Sequence, residues 1–192
     1  MGLFDHFQKK EASAAVPAAH TAERKPYGPN LIEIARLISC GNEAVLHDAT
    51  ACAGDPTAWY NAHRERYSER GITSAKNPGL VQWIGLVDIL EEHGWVCERD
   101  WKDELEDFLY FVEHLHGFQA QELSIDPDWF DADADIPVWC GILTEKWASK
   151  GVRMAAVGID SDSYVLFPCP ASQYPVLRKL AAEIGQCIEF VD

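Results

Sequence analysis

The apolar residues change their spacing once along this chain, near residue 150, and that change limits the folds open to it. Before it they recur in steps of three and four, the repeat that lays one stripe along a helix. Leu31, Ile34, Ala35 and Ile38 form such a stripe, as do Leu105, Phe108, Leu109, Val112 and Leu115. Beyond it, residues 152–159 and 163–169 are short apolar runs rich in branched and aromatic side chains, parted by Asp160-Ser161-Asp162, which reads as a hairpin. A helix is expected over about 172–184, with Leu177, Leu180, Ala181 and Ile184 on one face, and a last strand over about 187–191. The expected class is α+β: a helix-rich N-terminal part and a small, mainly antiparallel sheet ending in a β-β-α-β segment.

Punctuation between the stripes sharpens the boundaries. Asn30 followed by Glu33 resembles a capping box and opens the first helix. Gly41-Asn42 interrupts it, and the pattern resumes to about Cys52. Asp55-Pro56 and Asn77-Pro78 each offer a capping oxygen and then proline at the first helical position. These predict helices to about Gly71 and Gly94. A short strand over Trp95-Val96-Cys97 is expected next, then a helix capped by Asp100 and stopped by Gly117. Residues 118–135 read as a loop, and Pro137 opens a helix to about Lys150. Residues 1–29 carry an Ala- and Pro-rich stretch without periodicity and are expected to be a tail, leaving 30–192 as one domain.

Compartment follows from what the chain lacks. No run approaches the roughly 18 apolar residues of a membrane span. Leu3-Phe4 and Phe7 are too few for a secretory core, and His6 stands where myristoylation wants Ser or Thr. The six cysteines form no C-x-x-C pair, so reduced thiols in a cytoplasmic protein are expected.

Charge is where the sequence turns to function. Residues 88–135 hold 16 acidic and 2 basic side chains, a net −14 of the chain's −15. Phosphate recognition needs clustered cations, so nucleic acid is an unsuitable partner and a basic protein a suitable one. The residues expected to meet that partner are Asp126, Asp128, Asp131, Asp133 and Asp135, with Trp129 and Phe130 as aromatic anchors. Asp131-x-Asp133-x-Asp135 matches the first three positions of a calcium loop. However, Ile136 stands where glycine is needed and Ile142 where a bidentate glutamate is needed. An alternative centre is Asp100, Asp103, Glu106 and Asp107. On one helix, Asp103 and Asp107 would share a face and hold a divalent metal for hydrolysis. Carboxylates are also favoured in any first helical turn by the backbone dipole alone. His114 and His116 lie two apart and face different ways, and no phosphate loop, dinucleotide fingerprint or nucleophile elbow occurs. No cofactor and no catalytic residue are therefore expected. Trp83, Trp95, Trp101, Trp139 and Trp147 are expected in the core.

Three stretches are familiar together: Leu86-Val87-Asp88-Ile89-Leu90, the acidic run from Asp100 to Asp107, and Asp160-Ser161-Asp162-Ser163-Tyr164-Val165-Leu166-Phe167. They resemble an uncharacterised bacterial family catalogued as a domain of unknown function, over about residues 81–192. That resemblance implies a fold and no activity. In size, acidity and architecture the chain is also similar to the immunity proteins that neutralise bacterial toxins. This implies a non-catalytic, acidic interaction domain.

Overall fold

The computed structural model describes residues 27–191. The tail expected over 1–29 lies outside them except for its last three residues, which already belong to a helix. Helix α1 (Tyr27–Ile38) thus starts ahead of the expected cap. Asn30 is buried in it instead, donating to the Leu180 carbonyl at 3.2 Å and to Glu183 at 3.0 Å. Asp55 and Asn77 cap helices as read, and Asn42, read only as an interruption, caps one as well. Asn42, Asp55 and Asn77 each accept backbone N–H groups at the starts of α2 (Glu43–Gly54), α3 (Pro56–Ala62) and α5 (Pro78–Glu92).

The helix expected from Asp55 to Gly71 is broken in two. His63 stacks on Trp59, with ring centroids 4.0 Å apart, and its Nδ1 donates to the Trp59 carbonyl at 2.9 Å. The chain restarts as α4 (Arg64–Glu69). Strand β1 (Cys97–Asp100) comes later than expected, so Asp100 ends a strand and does not cap a helix. Helix α6 (Leu105–Glu113) begins only after a turn. A short α7 (His116–Ala120) runs through Gly117, the expected stop, into the stretch expected to be loop, which also holds a 3-10 turn (Pro127–Trp129). Then come α8 (Ile136–Lys146), β2 (Val152–Val157), β3 (Ser163–Pro170), α9 (Tyr174–Glu183) and β4 (Ile188–Phe190).

The fold is α+β, with the four strands in the order β1-β3-β2-β4 and every neighbouring pair antiparallel. Asp100 pairs with Ser163 at one end of the sheet and Val152 with Pro170 at the other. The β2–β3 hairpin turns through Asp160, whose φ of 56° is left-handed and suits a short side chain that bonds its own backbone.

Both faces of the sheet are covered, which is why β3 is apolar almost throughout and does not alternate. Val165, Phe167 and Cys169 face α1, α2, α5 and α9, joining Leu31, Ile34, Leu86, Leu90 and Leu177. Leu166 and Met154 face the other way, onto Phe108 and Val112 of α6 and Trp139 and Leu143 of α8. Trp83, Trp95, Trp139 and Trp147 are buried as expected. Trp101 is not: it lies in the turn after β1, 53% exposed, with the Lys102 ammonium 4.6 Å from its ring. The displaced strand explains this, because the turn that replaces a helical start directs the indole away from the core.

Candidate functional site

The acidic segment divides into a neutralised part and an unanswered part. Arg70, just past α4, donates from Nε to Asp88 at 3.0 Å and approaches Glu98 at 2.7 Å and Glu91 at 3.9 Å. Arg66 holds Glu92 at 2.9 Å. Glu98 also accepts from the Ser163 hydroxyl at 2.6 Å, and its backbone N–H donates to Glu91 at 3.1 Å. Glu91 thereby satisfies an N–H of β1, whose other side carries no strand. Burial pushes the Asp88 and Glu91 carboxyls above the usual carboxylate range, and the Arg70 guanidinium opposes that rise. Arg99 continues the pattern one turn on: it lies 3.1 Å from Asp103 with its guanidinium carbon 3.7 Å over the Phe111 ring.

Past Asp103 the arginines stop. Among the described residues, no carboxylate from Glu104 to Asp135 has a lysine or arginine at ion-pair distance. The loop expected to meet a partner holds itself together. Asp126 accepts from the Asp128 N–H at 3.1 Å, Asp131 from the Asp133 N–H at 3.0 Å, and Asp135 caps α8 by accepting from Val138 at 3.1 Å. The Trp139 indole donates to the Asp131 carbonyl at 2.8 Å and ties the loop to the core. Asp128 and Asp133 project into solvent. Trp129 and Phe130 are half-buried: the Lys146 ammonium lies 5.2 Å from the Trp129 ring, and Phe130 packs against the core beneath α8.

The geometry behind the metal reading is absent. Asp100 ends β1 and accepts from the Lys102 N–H at 2.9 Å, while Asp103 lies in the turn before α6 and faces Arg99. Asp103 and Asp107 therefore do not share a helical face; only Glu106 and Asp107 are in the first turn of α6. No group of three His, Cys, Asp or Glu side chains converges in a metal-holding arrangement among the described residues. The His114 ring donates to the Tyr110 carbonyl at 2.6 Å, and His116 lies against Trp95. Cys52 is buried, its thiol pushed up to about 12, and His63 is occupied by Trp59, so neither is poised as nucleophile or base.

Between α6 and the 126–135 loop runs a groove of about 720 Å³. Leu105, Leu109, Tyr110, Pro127 and Ala132 give it apolar walls, and Glu104, Glu106, Asp107 and Glu113 contribute the carboxylates. Of the acidic candidates in the sequence, Glu106 and Asp107 line this concavity, and the loop closes its other side through Pro127 and Ala132. Sequence reasoning missed Tyr110, which is 55% exposed. It had a signal: Tyr110 and Phe111 sit beside the apolar stripe of their helix, not on it.

The chain matches the family described as Domain of unknown function (DUF6630) over residues 30–191, and it belongs to that family. The match begins well before residue 81, so the N-terminal helices are part of the family's domain. No curated protein and no solved structure matches the chain.

Proposed function

For this member of a family without an assigned activity, we propose a non-catalytic role: an acidic, immunity-like interaction domain that receives a basic protein. The contact surface is the loop carrying Asp126, Asp128, Trp129, Phe130, Asp131, Asp133 and Asp135, extended across the groove to α6. The supporting observation is the division of charge. Arg66, Arg70 and Arg99 answer Asp88, Glu91, Glu92, Glu98 and Asp103, whereas Asp100 and the carboxylates from Glu104 to Asp135 have no lysine or arginine of the described residues at ion-pair distance. Crowded carboxylates repel one another, and a partner's cations relieve that repulsion on contact. Complementary charge of this kind chiefly raises the association rate and weakens with salt.

No helix among the described residues is long and apolar enough to cross a membrane. All six cysteines are free and four are buried, which supports a reducing, cytoplasmic setting for this role.

Basic proteins captured on the immobilised chain, at low and at high ionic strength, test the reading. Asp128→Lys with Asp133→Lys is the informative variant, because both side chains face solvent and neither accepts a hydrogen bond that shapes the loop. A basic partner held at low salt should be released by high salt and by the double reversal. Retention indifferent to both, or no basic partner retained, removes the proposal.

A further inference from the structure

We infer that the groove beside α6 seats an arginine side chain of the basic partner, stacked on Tyr110 between Glu106 and Glu113; this rests on the interaction role proposed above. Glu106, Tyr110 and Glu113 are spaced four and three residues apart, so they rise from one face of α6. The His114 ring lies tilted against Tyr110, with centroids 4.1 Å apart, yet Tyr110 remains 55% exposed and lines the groove. Leu105, Leu109 and Pro127 supply the apolar wall that the methylene stem of a long cationic side chain covers.

The same helix already performs this recognition within the chain. On its Phe111 side, Arg99 is held between an aromatic ring at 3.7 Å and the Asp103 carboxylate at 3.1 Å. Tyr110, the adjacent residue, repeats the pairing of aromatic ring and carboxylate without a cation of the described chain. A guanidinium fits this arrangement better than an ammonium. It is planar, stacks on a ring, bonds carboxylates through a fork and gives up its hydration more readily. The groove therefore selects arginine over lysine, whereas an acidic surface alone would answer only to charge.

Hexa-arginine and hexa-lysine peptides, titrated calorimetrically into the protein at low ionic strength, separate these cases. The arginine peptide should bind more tightly by about twofold to fivefold, the upper figure being the ratio of one cation–aromatic contact that lysine fails to make. Tyr110→Ala should abolish that ratio while leaving the lysine affinity within about twofold, and Tyr110→Leu should do the same with the apolar wall kept. Glu106→Gln with Glu113→Gln should weaken both peptides. Melting curves that match the wild type keep these variants interpretable. Equal affinity for the two peptides at low salt, with release of both at high salt, overturns the arginine seat and leaves the acidic-surface reading standing. Persistence of the ratio in Tyr110→Ala also overturns the seat. Failure of both peptides to bind overturns the seat and the acidic-surface reading alike.

Discussion

Replacing Arg70 by methionine should destabilise the protein by about 2–4 kcal/mol at neutral pH, and most of that loss should disappear on mild acidification. Methionine keeps the length and much of the packing of the arginine stem, so the change isolates the charge. The side chains of Arg70, Asp88 and Glu98 are 21%, 11% and 21% exposed. Removing one partner of a fully buried pair costs about 3–5 kcal/mol, and the residual access to water lowers that here. Glu98 retains the Ser163 hydroxyl, but Asp88 loses the side chain that hydrogen-bonds it. Asp88 and Glu91 already titrate above the ordinary carboxylate range because burial disfavours their charge; without Arg70 the shift grows. An acid with a raised folded-state pKa binds more protons folded than unfolded between the two values. Stability therefore falls as pH rises through that window, and the loss is complete above it. The deficit of Arg70→Met should be full at pH 7.5 and shrink as pH drops toward the unfolded carboxylate value near 4. Urea unfolding followed by tryptophan fluorescence at pH 7.5, 6 and 5 measures it. A melting shift of roughly 6–12 °C at pH 7.5 is the thermal equivalent. Adding Asp88→Asn should recover about 1–2 kcal/mol, since it removes the stranded charge. A deficit under 1 kcal/mol, a deficit constant with pH, or strict additivity of the two substitutions would refute the reasoning.

Other expectations are narrower. Gly85→Ala should cost up to about 2 kcal/mol: overpacking of about 1–3 kcal/mol is set against the roughly 1 kcal/mol that alanine returns in a helix. The new Cβ would stand 2.7 Å from both the Cys52 sulfur and the Tyr67 hydroxyl, and Cys52→Ala should relieve part of the penalty in urea melts. Asp135→Ala removes the α8 cap and should lower stability by about 1 kcal/mol in the absence of any partner; an unchanged melting point would return Asp135 wholly to the docking role. Raising NaCl from about 0.02 to 0.5 M at pH 7.5 should raise the melting temperature, because the exposed carboxylates of the groove and loop are screened more than the half-buried Arg70 cluster. A fall in melting temperature would show that exposed attractions outweigh that repulsion.

Local chemistry made most of the fold legible. Asp55 and Asn77 cap helices as their following prolines signalled, because a short polar side chain before the first turn has one favourable place to put its oxygen; Asn42 and Asp135 do the same without having been read as caps. The doubly covered sheet follows from the unbroken apolar run of β3. What local chemistry could not decide was Asp100, since aspartate before an amphipathic stripe caps a helix unless a neighbouring strand claims it. Here β3 does, through the Asp100–Ser163 pair, which lies 63 residues away. That one displacement carried the proposed metal face and Trp101 with it. The acidic loop was legible as composition, but its division was not, because Arg66 and Arg70 approach the segment from α4 and only the tertiary fold brings them there.

That division bears on why a chain would keep so lopsided a segment. Carboxylates used for stability gain from a guanidinium brought close and partly shielded from water, and Asp88, Glu98 and Asp103 each have one. Those of Glu106, Asp107, Glu113, Asp128 and Asp133 have none; they add repulsion to the folded state, and the first three line a concavity with apolar walls. Solubility alone would be met by acids scattered over the surface, with no need for Leu105, Leu109 and Tyr110 among them. Apolar surface beside unpaired like charge costs the isolated protein twice, once in exposed hydrocarbon and once in repulsion. A partner that brings both a cation and an alkyl stem relieves both costs in one contact. Lysine and arginine both supply the two together, and the planar guanidinium of arginine adds the stacking on Tyr110 that a compact ammonium lacks.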